Sequence, residues 1–508
     1  MKPFWVFVLA SLGVLCQPAP AAPARPNIVI ILADDLGYGD VQCYNPQRGK
    51  IPTPNMDRLA AQGMRFTDAH TSSGVCSPTR YTLLTGRYHW RTRLQSGIVG
   101  YLERPLISPD RLTLAGLVKQ HGYRTAAFGK WHLGWEWAIA PEQRPLFAPG
   151  RADVPTVTDA HRAAWKEVYA KPIAGGPTTR GFDTYFGTDV PNWPPYAFIE
   201  NDRTVGIPSE FLPADQFKNH LASLGGPALA GWKLEGILPA LTDRACAFIE
   251  RSAQQPEPFF LYMPLTTPHT PLAVNKEWAG KSGLNTYADL VMETDAAVGR
   301  VLAALDKSGA AEKTLVIFTS DNGCAPYVGA KDLEAKGHFP SGPLRGYKAD
   351  AWEGGHRVPF IVRWPGKIKP GSVNEHVSGF QDLMPTAADL AGVKVTAECD
   401  GISFLPTLLG NNAQQKQHPY LYWNFNEQGG KRSVLKWPWK LLHLNTASAD
   451  TSAQSSAKKK KSAEGKSLIV ELFNLDRDPT ESTNVANSNP RIVEELTTSM
   501  QQAWRDPK

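Results

Sequence analysis

Two acidic pairs stand directly behind apolar runs. Asp34 and Asp35 follow Asn27–Ala33, and Asp321 and Asn322 follow Thr314–Thr319. Three carboxylates and an amide oxygen at neighbouring strand ends repel one another unless a cation lies between them. An all-oxygen set of this kind suits a hard divalent ion, Ca²⁺ or Mg²⁺. Taken singly, Asp-Asp and Asp-Asn-Gly also serve as ordinary caps and turns; their shared placement behind two buried strands is what points to metal. Positive groups close other runs. Lys130 and His132 lie in Gly129–Gly134, His269 in Thr267–Pro271, and Lys348 in Leu344–Asp350. Lys130 and His132 are two apart, so extended backbone turns both to one side. Two lysines and two histidines facing an anionic metal cluster suit an oxyanion substrate held between metal and cations. A further local pattern, Cys76-Ser77-Pro78-Thr79-Arg80, is followed by Leu84-Thr85-Gly86-Arg87.

These residues need a scaffold, and the periodicity supplies one. Asn27–Ala33, Phe259–Met263 and Thr314–Thr319 are continuous apolar runs, the pattern of parallel strands buried on both faces. Arg124–Lys130 and Val358–Trp364 read as two more strands. Helical spacing marks Pro54–Gly63, Leu112–His121, Thr242–Arg251, Tyr287–Leu305 and Asp382–Ala391. Alternating helices and strands predict an α/β fold, a largely parallel sheet covered on both faces. Ligands then bind beyond the carboxyl ends of the strands. Residues 138–231, rich in Pro and Gly, read as long excursions over the sheet. Past residue 395 the pattern changes to short pieces at Tyr420–Trp423, Arg432–Leu435, Trp439–Leu442 and Glu471–Leu475, a small antiparallel sheet closed by a helix over Asn489–Trp504. The division is a catalytic domain over 25–395 and an α+β subdomain over 396–508, with a Lys-rich disordered loop near 445–467.

The chain has 508 residues and a net charge of +6. Half of that charge sits in residues 445–467, where five lysines face Asp450 and Glu464, and Lys2 adds one more. The body is nearly neutral, which excludes a nucleic-acid face. Lys2, the apolar run from Phe4 to Leu15 and the small residues Pro18–Ala24 have the layout of a secretory signal, residues 1–24. That run is shorter than a bilayer span, and no other run is long enough for one. Export to the periplasm or the medium follows. Without Cys16 five cysteines remain, an odd number, which allows two disulfides and one special thiol or several buried free thiols.

With these motifs in place, the sequence resembles the type I sulfatases, the arylsulfatase branch of the alkaline-phosphatase-like superfamily, over nearly the whole mature chain. The resemblance is carried by Asn27–Asp35, Cys76–Arg87, Gly129–Gly134, Pro268–Leu272, Ser320–Gly323, Gly346–Pro359 and Leu472–Pro479. It implies that Cys76 is converted to Cα-formylglycine by a formylglycine-generating enzyme. The hydrated aldehyde attacks sulfur with one hydroxyl and expels sulfate with the other, a release route that a plain thiolate lacks. It implies a Ca²⁺, with Mg²⁺ as the alternative, held by Asp34, Asp35, Asp321, Asn322 and the residue-76 diol. Arg80, Lys130 and His132 would hold the diol and sulfate. His269 and Lys348 would bind sulfate and serve the leaving alcohol, without a decision as to which is the acid. Trp193-Pro194-Pro195-Tyr196 and the tryptophans 131, 135 and 137 are candidates to stack on a sugar or aryl group. The wording resembles the arylsulfatase A and N-acetylgalactosamine-6-sulfatase subgroup, so the expected substrate is a sulfated carbohydrate, with aryl sulfates as artificial ones. The competing readings are a phosphodiesterase or phosphonate hydrolase of the same superfamily, an inactive carbohydrate-binding homologue, and a thiol redox protein. The last is disfavoured by the lack of a Cys-x-x-Cys pair.

Overall fold

The computed structural model describes residues 25–147, 157–217, 223–425, 430–445 and 468–503. Residues 1–24, expected to be a secretory signal, and residues 446–467 of the Lys-rich tract lie outside the described residues.

The apolar runs form the middle of one ten-stranded sheet. Its strands are β1 Asn27–Ala33, β2 Met64–Phe66, β3 Arg124–Lys130, β4 Thr184–Thr188, β5 Ile199–Glu200, β6 Arg203–Thr204, β7 Phe259–Pro264, β8 Thr314–Ser320, β9 Phe360–Arg363 and β10 Ser372–Asn374. They lie side by side in the order β10-β2-β9-β8-β1-β7-β3-β4-β5-β6. The central five, β8 through β4, are all parallel, while β9 runs against both of its neighbours. Successive side chains of β1 alternate between two cores. Val29, Ile31 and Ala33 pack with Leu59, Leu241 and Val298. These come from α1 (Pro54–Ala61), then α5 (Ile237–Ser252) and α6 (Thr286–Lys307), with α2 to α4 falling between them in the chain. Ile28, Ile30 and Leu32 pack with Leu83, Leu117 and Met384. Those belong to α2 (Cys76–Thr85), α3 (Leu114–Gln120) and α7 (Leu383–Ala391). Each buried aliphatic side chain of this kind contributes about 1.5–3 kcal/mol. Burial on both faces is why the strand sequences show no polar alternation.

Residues 138–231 are more than an excursion. They contain α4 (Asp159–Tyr169) and β4, which pairs in parallel with β3. The glycines that hid this strand are what let it dock. A Cβ on Gly187 would sit 1.8 Å from the Gly129 carbonyl oxygen, and one on Gly129 would sit 1.7 Å from that of Pro264. Strand-forming side chains cannot occupy those two positions.

The C-terminal pieces form the expected antiparallel sheet: β11 Leu421–Phe425, β12 Lys431–Lys436, β13 Trp439–Asn445 and β14 Leu468–Asn474, paired in that order. One face, with Trp423, Leu435, Leu442 and Phe473, packs around Ala351. The other carries Tyr422, Val434, Leu441 and Leu472 beneath Leu496 and Met500 of α8 (Pro490–Ala503). Contact at Ala351 places this sheet against the segment that bears Lys348. No helix among the described residues is long and apolar enough to cross a membrane.

Candidate active site

The proposed site residues converge at the carboxyl ends of the parallel strands. Asp34 and Asp35 follow β1, Asp321 and Asn322 follow β8, Lys130 ends β3, and His269 stands in the loop after β7. Backbone bonds lock these ends together: Asp34 N–H donates to the Thr267 carbonyl at 3.0 Å, and Asp321 N–H to that of Ala33 at 3.0 Å. Cys76 is the first residue of α2, so its side chain starts the helix at the edge of this cluster, and Arg80 lies one turn on.

The side chains interlock. Lys130 Nζ lies 2.7 Å from Asp34 Oδ2, and Lys348 Nζ lies 2.6 and 2.7 Å from the two Asp35 oxygens. Arg80 grips Asp321 Oδ2 through Nε at 3.0 Å and Nη2 at 2.8 Å. The Cys76 Sγ is 3.6 Å from Asp34 Oδ1 and 3.8 Å from Lys348 Nζ. One ligand atom each of Asp34, Asp35, Cys76 and His269 lies within 4.8 Å of the other three. His269 thus joins the tightest group, while Asp321 is turned toward Arg80 and the Asp35 N–H.

Electrostatics follow from burial and these neighbours. Burial raises the Asp34 carboxyl, but Lys130, His269, Arg80 and Lys348 outweigh it and hold Asp34 well below the carboxylate range. Burial and the nearby Asp34 charge push Asp321 up to about 7. Burial works against the Lys348 ammonium, yet Asp35 and its neighbours keep it firmly protonated. Burial lowers His269 to about 4, and Nδ1 faces the Thr270 carbonyl at 2.5 Å, so Nε2 is turned toward Asp35 Oδ2 at 3.7 Å. Burial also pushes the Cys76 thiol up to about 12. At neutral pH it is a thiol and not a thiolate, so as plain cysteine it is a poor nucleophile.

The donor set fits a hard divalent cation. Asn322 Oδ1 is buried without a hydrogen-bond partner, directly beside the carboxylates, while its Nδ2 donates to Asp35 Oδ1 at 2.8 Å. An orphaned amide oxygen among acid groups is the ligand such an ion completes.

His132 reaches this region differently from the expectation of extended backbone. The strand stops at Lys130, and His132 has a φ of +52°. Its Nε2 faces the Val99 carbonyl at 3.2 Å, and its Nδ1 is buried without a partner. Burial, then Lys130 and Arg80, hold it well below its usual pKa, which keeps the ring neutral. The Trp193 ring stands edge-on to it at 5.5 Å. Sequence reasoning missed Asp189, which accepts the His132 N–H at 3.1 Å and is pushed up to about 6 by burial. Asp189 follows β4, so recognising Thr184–Thr188 as a strand was the signal that would have found it. All five cysteines among the described residues are unpaired.

Comparison with known proteins gives a consistent picture. The sulfatase family model matches residues 26–393, and a model described as N-sulphoglucosamine sulphohydrolase, C-terminal, matches 348–450. An N-acetylgalactosamine-6-O-sulfatase from Bacteroides thetaiotaomicron is 33% identical, over 93% of this chain and 92% of that protein. Human arylsulfatase A is 33% identical, over 95% of this chain and 88% of its own length. A solved Bacteroides thetaiotaomicron structure, described in connection with the metabolism of multiple glycosaminoglycans, superposes with a TM-score of 0.75 at 29% identity. It covers 94% of this chain and 99% of that one.

Proposed function

Because the chain belongs to the sulfatase family, the type I branch of the alkaline-phosphatase-like superfamily, and is a sulfuric ester hydrolase, we propose that it removes a sulfate monoester from a carbohydrate. The reaction adds water across the S–O bond and yields the free alcohol, sulfate and a proton. The observation that carries the reading is the placing of Cys76 between Asp34 and Lys348 at the strand ends. Sulfatases from sugar-degrading settings are among its relatives, which supports a saccharide as the alcohol.

Cα-formylglycine made from Cys76 would supply a hydrated aldehyde as nucleophile, and a divalent cation, Ca²⁺ before Mg²⁺, would polarise the sulfate oxygens. Asp34, Asp35, Asp321 and Asn322 would hold that cation. The chain's own groups do the rest. Arg80 neutralises Asp321 and keeps its carboxylate fixed. Lys130, on Asp34, and Lys348, 3.8 Å from the Cys76 Sγ, would bind sulfate oxygens through their ammonium groups. His132, neutral and held by Val99 and the backbone bond to Asp189, accepts the proton that starts sulfate release. His269 and Lys348 would bind sulfate and serve the leaving alcohol, one of them as its acid; of the two, Lys348 is the group that is protonated at neutral pH.

Maturation then requires a formylglycine-generating enzyme, and the signal-like segment 1–24 makes the protein an exported one, periplasmic or secreted. A peptide mass spectrum across residue 76 of active protein tests the reading. Aldehyde or its hydrate is expected, and only thiol in fully active protein refutes it. Comparing a sulfate with a phosphate ester separates this reading from a phosphoester hydrolase. Faster turnover of the phosphate ester would overturn the assignment.

A further inference from the structure

A second cleft, of about 700 Å³, opens at the start of the C-terminal sheet and shares no residue with the active site. Its walls come from three separate segments, residues 374–377, 407–421 and 435–437. Trp437 stands at its rim with 47% of its surface exposed, a large ring that no core claims. Tyr420 and Pro419 add further apolar faces, and the amides of Asn412 and Gln417 are exposed beside them.

The wall also holds a polar group with nothing to bind. His376 is 8% exposed, and its Nε2 is buried without a hydrogen-bond partner. Its Nδ1 lies 3.2 Å from Gln417 Oε1, which can only accept, so Nδ1 carries the hydrogen and Nε2 is a bare acceptor. Burial lowers the His376 pKa and keeps the ring in this neutral form. That acceptor has almost no accessible surface, so it belongs to the wall and is not a contact point for an occupant.

The charges narrow the class of occupant. The cleft's cations are already engaged, with Lys436 paired to Glu495 and His418 to Asp382 at 2.8 Å, and Glu375 is exposed. A sulfate group would find no free cation here. Flat apolar rings beside the exposed amides of Asn412 and Gln417 match a neutral sugar unit, which has apolar C–H faces and hydroxyls at its rim.

We infer that this cleft is a non-catalytic saccharide-binding site that grips the uncharged units of a glycan chain while its sulfated end is processed elsewhere on the molecule. This rests on the carbohydrate reading above for its biological sense, but binding can be measured without catalysis. Gripping a chain at two places raises the effective concentration of the sulfated end at the strand ends.

The test uses the full chain and three probes: a polymer carrying N-acetylgalactosamine 6-sulfate, the same polymer chemically desulfated, and a small aryl sulfate. The desulfated polymer binds wild type, and Trp437→Ala weakens that binding about tenfold in calorimetry. Trp437→Ala also raises KM for the sulfated polymer about tenfold, with kcat and aryl sulfate turnover unchanged. Ile207→Ala, an exposed apolar residue outside the cleft, serves as the control and changes neither. Failure of wild type to bind the desulfated polymer, or unchanged binding in Trp437→Ala, overturns the inference. A wild type that binds this polymer but releases no sulfate from the sulfated one excludes this sugar sulfate as the substrate and leaves the cleft standing.

Discussion

Two buried clusters in this molecule bring carboxylates and histidines together, and the proposed chemistry belongs to only one of them. The first is the group at the strand ends, with Asp34, Asp35, Cys76 and His269 at metal-binding separations. The second, His70, Glu353 and His356, meets the same distance criterion. What separates them is whether an amide oxygen is left without a partner among the charges. In the second cluster Lys440, from the C-terminal strand β13, puts its ammonium 2.7 Å from Glu353, 2.9 Å from Glu481 and 3.2 Å from His356 Nε2. His70 is held by Asp68 at 2.5 Å, and the Trp423 ring stacks on His356 at 4.2 Å. The lysine stands where an ion would, and the cluster fastens the C-terminal sheet to the segment that carries Lys348. In the first cluster an acceptor, Asn322 Oδ1, is left over. Buried charge of either kind requires compensation; both clusters hold built-in cations, with Lys130, Lys348 and Arg80 in the first, and what differs is that the first also keeps an amide oxygen without a partner.

The contrast makes its largest prediction for activity. Cys76→Ala lowers sulfate release by at least about a thousandfold, the loss expected when a covalent nucleophile is removed. The far-UV circular dichroism and melting temperature stay near wild type, and near-normal turnover would break the assignment. In the closed cluster the order of effects reverses. Lys440→Met leaves Glu353 to Arg357 and Glu481 to the Glu353 N–H, removes the ammonium they share, and costs about 3–5 kcal/mol in chemical denaturation. A loss below about 1 kcal/mol would mean that the two clusters do not differ as described.

Cation binding sharpens the comparison further. Calcium added to chelator-treated protein at a hundredfold excess over its Kd stabilises by about 2.7 kcal/mol, seen as a rise in melting temperature. Asp34→Asn removes most of that gain and Glu353→Gln leaves it intact; the opposite pattern would place the ion in the wrong cluster. The last effect is a pH dependence, spread over a window of pH. Burial raises Glu481 from 4.5 to about 7. The folded chain therefore holds a proton that the unfolded chain has lost, and stability from this group is present below pH 4.5 and declines as pH rises toward 7. Glu481→Gln flattens that decline, by up to about 3 kcal/mol across the window, in melts at several pH values.

Much of the catalytic cluster was legible because strand-end chemistry is local. A buried strand is an uninterrupted apolar run, and the residues that follow it must lie at the sheet's edge, so Asp34, Asp35, Asp321, Asn322 and Lys130 could be placed from order alone. Cys76 and Arg80 were legible as a short motif whose helical spacing brings both to one place. Asp189 was not, since its strand reads as turn until the glycines of β3 and β4 are seen touching. Nor was His132's orientation, which depends on a left-handed backbone after Lys130.

The amino-acid order by itself determined the layered α/β plan and which polar residues end up at strand termini, because hydrophobic periodicity and chain continuity act over a few residues. Only the tertiary structure decided which buried charges neutralise one another. Lys440 and Glu353 are 87 residues apart, and no local pattern tells that one lysine closes one acidic cluster while Asn322 leaves the other short of a partner. That choice is made by packing, which sets distances between segments and so sets where a polar group is left for a ligand to satisfy.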